Sequence, residues 1–498
     1  MPNFQFKKII ISLCHPWHRP IPYVLYIKTL LKGLSMLLLL LLAIVAIAIL
    51  SLDFRTPAGL MPVNNQHALV IDNVNIVKVK TNQLLRNKQL VIKDGRITAI
   101  NEAKTPTANN VKVVDAQGAF ITPGLFDMHV HLHDRKYLML NLAYGVTSVR
   151  NLRGQNMHLR WKHELQNNEW LGSNLHLSSP VLAGAGTHEL NEEILTPQEA
   201  KKAVNQAKEN GYDFIKVYGY LAPDIFEAII KQAREIDFPV AKHGPHPAKG
   251  SDWSYIEGLQ SLEHVEDIFQ GPLNYQYDQE TMQSTAIKIK ATNVPVVPTL
   301  ATFNHLTQLS NGKQTFIDSL DLDYLNPLYF DIESEFSITR WLNDNEQQSA
   351  YHLEKQQHLF NIVKVLNEYK VKLLVGSDAG TMYSLPGIST HNEMQLLKRA
   401  GLSNHDVLKA ATINAAETLA IASDYGSITT GKVADLVLVS TNPLDDIQVL
   451  SNPFAVVKNG QWLDSAQLEK LKVEAKNTNN YFWSVMSLIE DLLIRAFN

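Results

Sequence analysis

Ile121-Thr-Pro-Gly-Leu-Phe-Asp-Met-His-Val-His131 is the stretch from which the rest of the chain can be read. An apolar run that ends in His-x-His has the two-residue period of a β-strand, so His129 and His131 point to one face. Two imidazoles so placed can grip one cation, and zinc or another first-row divalent metal suits them. The spacing alone is weak, since surface histidines also recur at i, i+2. The upstream Pro123-Gly124 and the position at the end of the first strand strengthen it. Asp127 and His133 extend the polar cluster, His133 either behind the ligands or on the loop.

Moving outward, eight short apolar runs follow a common rhythm: Ala119–His131, Val146–Arg150, Leu175–Ser178, Phe214–Val217, Pro239–Lys242, Ser261–Glu263, Val294–Val297 and Leu373–Gly376. Helix-like stretches lie between them, among them Pro197–Asn210, Pro223–Ile236, Gln279–Thr292 and Gln347–Tyr369. Eight β-α repeats predict an α/β fold, a (β/α)8 TIM barrel, although a doubly wound sheet reads similarly. In a barrel the C-terminal strand ends converge on one face, and the remaining candidates fall there. Lys216 sits in Phe-Ile-Lys-Val-Tyr, His243 ends Val-Ala-Lys-His, His264 ends Leu-Glu-His, and Asp378 follows Val-Gly-Ser. Each alone could be a core histidine or a turn aspartate; their placement together predicts a metal site of His129, His131, Lys216, His243, His264 and Asp378. A lysine inside a barrel is costly as a free ammonium, and either a carboxylate partner or carboxylation by CO2 relieves that. Tyr218 and Tyr220, just past Lys216, either orient substrate and stabilise an oxyanion or merely pack. The long connection Asn304–Ser337, rich in aromatics and acids, reads as a lid or as a packing insertion.

The flanks have another style. Ala68–Ile71, Ile76–Val79, Gln89–Ile92 and Ile97–Ile100, together with Asp435–Val439, Ala455–Lys458 and Gln461–Leu463, predict one small composite β-sandwich domain built from both ends. Leu34–Leu52 has no charge and contains six consecutive leucines. As a helix it spans roughly 28 Å, enough for a bilayer core. Lys7, Lys8, Arg19, Lys28 and Lys32 precede it, whereas after Arg55 no Lys or Arg occurs until Lys78. The positive-inside rule then predicts a single-pass transmembrane helix, with the catalytic region outside the cytoplasm and periplasmic in a bacterium. A cleaved signal and a buried core helix are the alternatives. Tyr481–Asn498 reads as an amphipathic helix whose polar face is not basic, which favours packing over membrane contact. A net charge of −4 offers no nucleic-acid surface, and the single cysteine, Cys14, allows no intramolecular disulfide.

The motifs jointly resemble the amidohydrolase superfamily, in its imidazolonepropionase-like and prolidase-like branch. Those that carry the resemblance are Pro123-Gly-Leu-Phe-Asp-Met-His-Val-His, Gly145-Val-Thr-Ser-Val-Arg, Ile215-Lys-Val-Tyr, Glu263-His and Gly376-Ser-Asp-Ala-Gly. Leu408-Lys-Ala-Ala-Thr-Ile-Asn-Ala-Ala-Glu, Gly431-Lys-Val-Ala-Asp-Leu-Val-Leu-Val, Asn442-Pro-Leu and Lys458-Asn-Gly extend it to roughly residues 67–465. The resemblance implies that His129 and His131 hold the more buried metal, that a carboxylated Lys216 bridges to a second held by His243 and His264, and that Asp378 is ligand and general base. One or two ions, zinc first, are the expected cofactor. After His243 the chain reads Gly-Pro-His-Pro where many relatives have His-x-His, which leaves His246 without a role.

The expected organisation is a cytoplasmic segment 1–33, a transmembrane helix 34–52, a linker 53–66, a sandwich from 67–119 and 433–465, a barrel 120–432 and a helical tail 466–498. The expected activity is hydrolysis of a C–N bond in a small substrate, dipeptidase-like or prolidase-like. A metal-activated hydroxide attacks, Asp378 moves the proton, and Tyr218 assists. A lactonase or phosphotriesterase on the same centre, or a tethered binding protein without turnover, are the alternatives. A small-molecule substrate and the membrane are the expected partners, nucleic acid is not, and homo-oligomerisation stays open.

Overall fold

The computed structural model describes residues 22–52, 62, 68–107, 111–186, 191–219, 221–243, 256–477 and 481–497. Tyr220, His246, most of the 53–66 linker and the first 21 residues lie outside the described residues. The chain divides into two compact units, Met1–Arg55 and Thr56–Asn498. In the first, Pro22–Leu52 is one helix, and its stretch Leu30–Ile47 is long and apolar enough to cross a membrane. Leu37–Leu42 are 50–66% exposed, so this is not the buried helix of a soluble core.

The second unit begins with five strands: β1 (Leu69–Lys78), β2 (Gln83–Lys93), β3 (Arg96–Glu102), β4 (Lys112–Asp115) and β5 (Phe120–Pro123). The barrel follows: β6 (Leu125–Val130), β7 (Val146–Asn151), β8 (Asn174–Ala183), the short β9 (Glu192–Glu193), β10 (Phe214–Val217), β11 (Val240–His243), β12 (Ser261–Glu263) and β13 (Val296–Val297). The chain then returns to the first group with β14 (Leu436–Val439), β15 (Ala455–Lys458) and β16 (Gln461–Asp464).

Strands from the two ends form one sheet, ordered β16-β15-β14-β5-β1-β2-β3 with β4 on β1. The expected layers are therefore continuous. Bulges in β1 between Ile71 and Ile76 carry it across, its first half pairing with β4 and its second with β5. Alternation assigns the faces of the sheet. Leu436, Leu438, Ala455 and Val457 join the small domain's own core, while Val437, Val439 and Val456 join the barrel's.

The barrel sheet runs β13-β12-β11-β10-β8-β7-β6, parallel throughout. Two expected runs come out differently. Ala119–His131 is not one strand: the Gly124 amide donates to Asp435 in the small domain and the Leu125 amide to Gly145 in the barrel, so the chain changes sheets there. Leu373–Gly376 forms no regular strand, yet residues 372–379 close the barrel. Leu374 N–H donates to Val296 O at 3.0 Å on one side, and Met128 N–H to Val375 O at 2.8 Å on the other. His131 N–H donates to Ala379 O, also at 2.8 Å. The seam is tight. A Cβ on Gly376 would sit 2.3 Å from Val297 and 2.9 Å from the His129 Cβ, and one on Gly380 would sit 1.8 Å from the His131 carbonyl oxygen. Glycine is what lets this segment pass the first strand.

The helices start where side chains can cap them. Thr196 and Glu199 exchange reciprocal bonds ahead of Pro197–Glu209, as do Asn345 and Gln348 ahead of Glu346–Glu368. Asp278 accepts from Thr281 N–H at the start of Gln279–Thr292. The final helix, Tyr481–Phe497, is tied to the barrel by Glu490 on Arg160 and by Asp491 on the Asn156 amide.

Two buried histidines make this fold acid-sensitive. His158 accepts from Gln155 N–H at Nδ1 and donates from Nε2 to Leu132 O, so it is held neutral. His391 bonds Tyr144 O through Nε2. Burial lowers His158 to about 3 and His391 to about 4. Below pH 6.5 the unfolded chain takes up protons that the folded chain excludes, so stability is complete above that pH and falls towards pH 4. Each histidine should lower the unfolding free energy by about 2 kcal/mol at pH 5. Denaturant unfolding at pH 7 and 5 measures this, and His391→Gln should show a smaller difference than the native chain. An equal difference would refute the assignment.

Candidate metal centre

Parallel strands put their C-terminal ends on one rim, and the predicted residues lie along it. His129 is on β6, Lys216 on β10 and His243 ends β11; His264 directly follows β12, and Asp378 lies in the closing segment. His129 Nε2 is 3.4 Å and His131 Nε2 is 2.9 Å from Asp378 Oδ1. The ligand atoms of these three residues lie within 4.8 Å of one another. The His264 ring is 4.6 Å from the His129 ring and 4.5 Å from the His243 ring. Five of the six residues therefore form one run of contacts.

Lys216 lies within the same wall, 2% exposed, and its Nζ has no hydrogen-bond partner among the described residues. Burial lowers it to about 8, against the pull of Glu263. Of the two ways to relieve a buried lysine, direct pairing with a carboxylate is not seen among the described residues. Tyr218 is 38% exposed and stacks on His243 at 4.1 Å between centroids. His133 stacks instead on Tyr329 at 3.7 Å.

Behind the histidines stands a set of polar groups whose roles were not foreseen. Arg150, wholly buried, donates from Nη2 to Glu263 Oε1 at 2.6 Å, from Nη1 to Ser261 Oγ at 2.8 Å and from Nε to Met128 O at 2.8 Å. The other Glu263 oxygen accepts from His129 Nδ1 at 2.8 Å, leaving Nε2 for a cation. Thr299 Oγ1 holds His264 Nδ1 at 2.8 Å, and Asp267 lies 3.2 Å from His243 Nε2. Asp127 accepts from Ser377 N–H and Oγ, from Thr390 Oγ1 and from His129 N–H, joining the first strand to the closing segment. A signal did exist: an arginine and a glutamate inside apolar strand runs need partners.

The electrostatics favour a cation. Burial lowers His129 to about 4 and takes His243 and His264 well below the ordinary value, so all three are neutral near pH 7. Burial alone would raise Glu263 and Asp378. Arg150 and His129 outweigh it for Glu263, and His129 and His131 for Asp378, so both stay ionised. Neutral imidazoles and an ionised carboxylate are the donor set a divalent metal takes, and the Nδ1 atoms of His131 and His243 have no hydrogen-bond partner among the described residues. The backbone is strained here too, since His264, Thr299 and Asp378 all have left-handed φ, of 67°, 53° and 59°.

Residues 120–463 match the amidohydrolase family. The chain resembles bottromycin amidohydrolase, with a TM-score of 0.69 and 23% identity over 86% of this chain and 97% of that one. It resembles a Xaa-Pro dipeptidase, crystallised with methionine in its active site, with a TM-score of 0.62 and 20% identity over 80% of this chain and 100% of that one. Among curated relatives it is 35% identical to an adenine deaminase of Clostridium botulinum over 81 residues. That match spans 16% of this chain and only 13% of the deaminase.

If Glu263 orients His129 as described, Glu263→Gln should weaken zinc binding by about 10- to 100-fold. Chelator competition on the purified protein measures it, and an unchanged affinity would remove Glu263 from the centre.

Proposed function

The chain belongs to the amidohydrolase family, and from that premise we propose a membrane-anchored, metal-dependent hydrolase of carbon–nitrogen bonds in small substrates, dipeptides first among them. The observation that carries this reading is the cluster of His129, His131, Asp378, His264 and His243 along one rim, beside a buried Lys216 whose Nζ has no hydrogen-bond partner among the described residues. A zinc ion held by these residues would polarise a carbonyl and make water acidic near neutral pH.

Asp378 is the proton carrier in this reading. It is ionised at neutral pH, takes a proton from the attacking water on a carboxylate oxygen, and passes it to the leaving nitrogen as the C–O bond forms and the C–N bond breaks. Glu263 keeps His129 in the tautomer that presents Nε2. Tyr218, exposed and stacked on His243, orients the substrate. Lys216 has the properties that carboxylation requires, since a lowered pKa leaves a fraction of neutral amine to add CO2. The carbamate would give an anionic ligand shared by the His129–His131 and His243–His264 pairs, hence room for two ions.

The dipeptidase preference draws support from the likeness to a Xaa-Pro dipeptidase, and a second reading from the 35% match to an adenine deaminase, in which the leaving nitrogen is an exocyclic amine. In this reading Asp378 would carry the proton for either leaving nitrogen. The Pro22–Leu52 helix is read as the anchor, with the barrel outside the cytoplasm.

Zinc content and turnover should separate in two variants. Asp378→Asn should keep most of its metal and lose turnover on a panel of dipeptides, cyclic amides, adenine, lactones and phosphotriesters. Lys216→Ala should hold fewer ions per chain than the native protein. Near-normal turnover in Asp378→Asn would overturn its role; activity confined to lactones or phosphotriesters, or none in the native protein, would overturn the C–N reading. For the anchor, a C-terminal reporter that works only outside the cytoplasm should be active in a bacterial host. Activity only of a cytoplasmic reporter would reverse the orientation.

A further inference from the structure

The connection between the seventh strand and the closing segment is helical along much of its length, and one part of it grips the loop that follows Asp378. The helix Leu300–Ile317 leads through Leu322–Tyr324 into Pro327–Glu333, then the wider turn Ser334–Ile338. Its near end is pinned to the loop after the first strand and to the start of the helix Lys136–Ala143 that follows. Asn326 N–H donates to Tyr137 Oη at 3.0 Å, Lys136 Nζ donates to Leu325 O at 2.8 Å, and Tyr329 lies on His133. Its far end is pinned to the loop after the eighth. Glu333 accepts from Met382 N–H at 2.8 Å through one oxygen and from Tyr383 N–H at 3.2 Å through the other. Phe330 stacks on Tyr383 at 4.9 Å.

Met382 and Tyr383 are consecutive residues with left-handed φ, of 50° and 64°. Their two successive amides both point at the Glu333 carboxylate. Neither is glycine, so the conformation is unfavourable unless something holds it. Glu333 is what holds it. From these two amides a short path leads back to the centre: Gly380 N–H donates to Ser384 O, Ser384 N–H to Thr381 O, and Thr381 Oγ1 to Asp378 O. Burial pushes Glu333 up to about 7, and the two amides oppose that rise.

We propose that Glu333 is a positioning residue for the hydrolysis proposed above: its carboxylate clamps the Met382–Tyr383 amides and thereby holds the Asp378 loop against His131. The inference rests on the reading of Asp378 as metal ligand and proton carrier. It also gives the insertion a task, that of joining the loops that begin at His131 and at Asp378.

The test compares the native chain, Glu333→Ala and Glu333→Gln, full length and zinc-loaded, by three measurements. Glu333→Ala should speed amide exchange in residues 379–384, weaken zinc binding about tenfold, and lower kcat by roughly 100-fold with KM little changed. Glu333→Gln keeps one acceptor oxygen and should fall between native and alanine in all three. Native-like exchange and zinc affinity in Glu333→Ala would overturn the proposal. Should the alanine variant not fold, Glu333→Gln decides alone, and native-like behaviour there overturns it equally. Failure of the functional reading looks different: the native protein then turns over no C–N substrate, while exchange and zinc affinity still judge Glu333.

Discussion

A charge buried in the barrel governs much of what surrounds it. Arg150 is fully enclosed, and a guanidinium in that position is tolerable only if paired and fully hydrogen-bonded. Glu263, Ser261 and the Met128 carbonyl meet the requirement. Removing one partner of such a pair costs about 3–5 kcal/mol, because the other charge is left stranded. The same carboxylate has a second oxygen, and that oxygen sets His129. A group needed for folding therefore also aims the first candidate ligand, so the barrel cannot assemble properly around Arg150 without orienting His129.

The seam where the barrel closes has the opposite character. There the regular ladder is given up. Residues 372–379 pair through scattered bonds, Gly376 and Gly380 allow contact that no side chain could survive, and Asp378 turns left-handed. Asp127 compensates with two hydrogen bonds across the joint, from Ser377 N–H and Oγ, and two more from Thr390 Oγ1 on the helix beyond and His129 N–H on its own strand. His264 and Thr299 add further left-handed backbone at neighbouring strand ends. Irregularity is concentrated where the candidate ligands are, as expected when local conformational preference yields to geometry at a site.

Legibility along the chain followed the range of the forces involved. Helices at Pro197–Glu209, Gln279–Thr292 and Glu346–Glu368 begin at caps written in adjacent residues, and their limits were readable to within a residue or two. The small sheet was readable from both ends because alternation is local as well. The change of sheet at Gly124 was not, although Pro123-Gly124 interrupts the run, since the partners that divide it, Asp435 and Gly145, lie elsewhere in the chain. Leu373–Gly376 carries a strand's composition, but a single close approach to His129 and Val297 prevents a strand's geometry. Glu263 and Arg150 stood in plain view within apolar runs, though their partners lie more than a hundred residues apart in the chain.

What the sequence by itself determined is the alternation of strands and helices, the apolar N-terminal helix, and the identity of the six candidate ligands. Those features depend on period, composition and spacing within a few residues. Tertiary structure alone decided which groups meet. It brought Asp378 to His129 and His131 across nearly 250 residues, left Lys216 Nζ without a hydrogen-bond partner among the described residues, and set Glu333 against the Met382 and Tyr383 amides. The reason is closure: until the eighth segment returns to the first strand, no local rule specifies the distance between residues 129 and 378, and that distance is what makes a candidate metal centre.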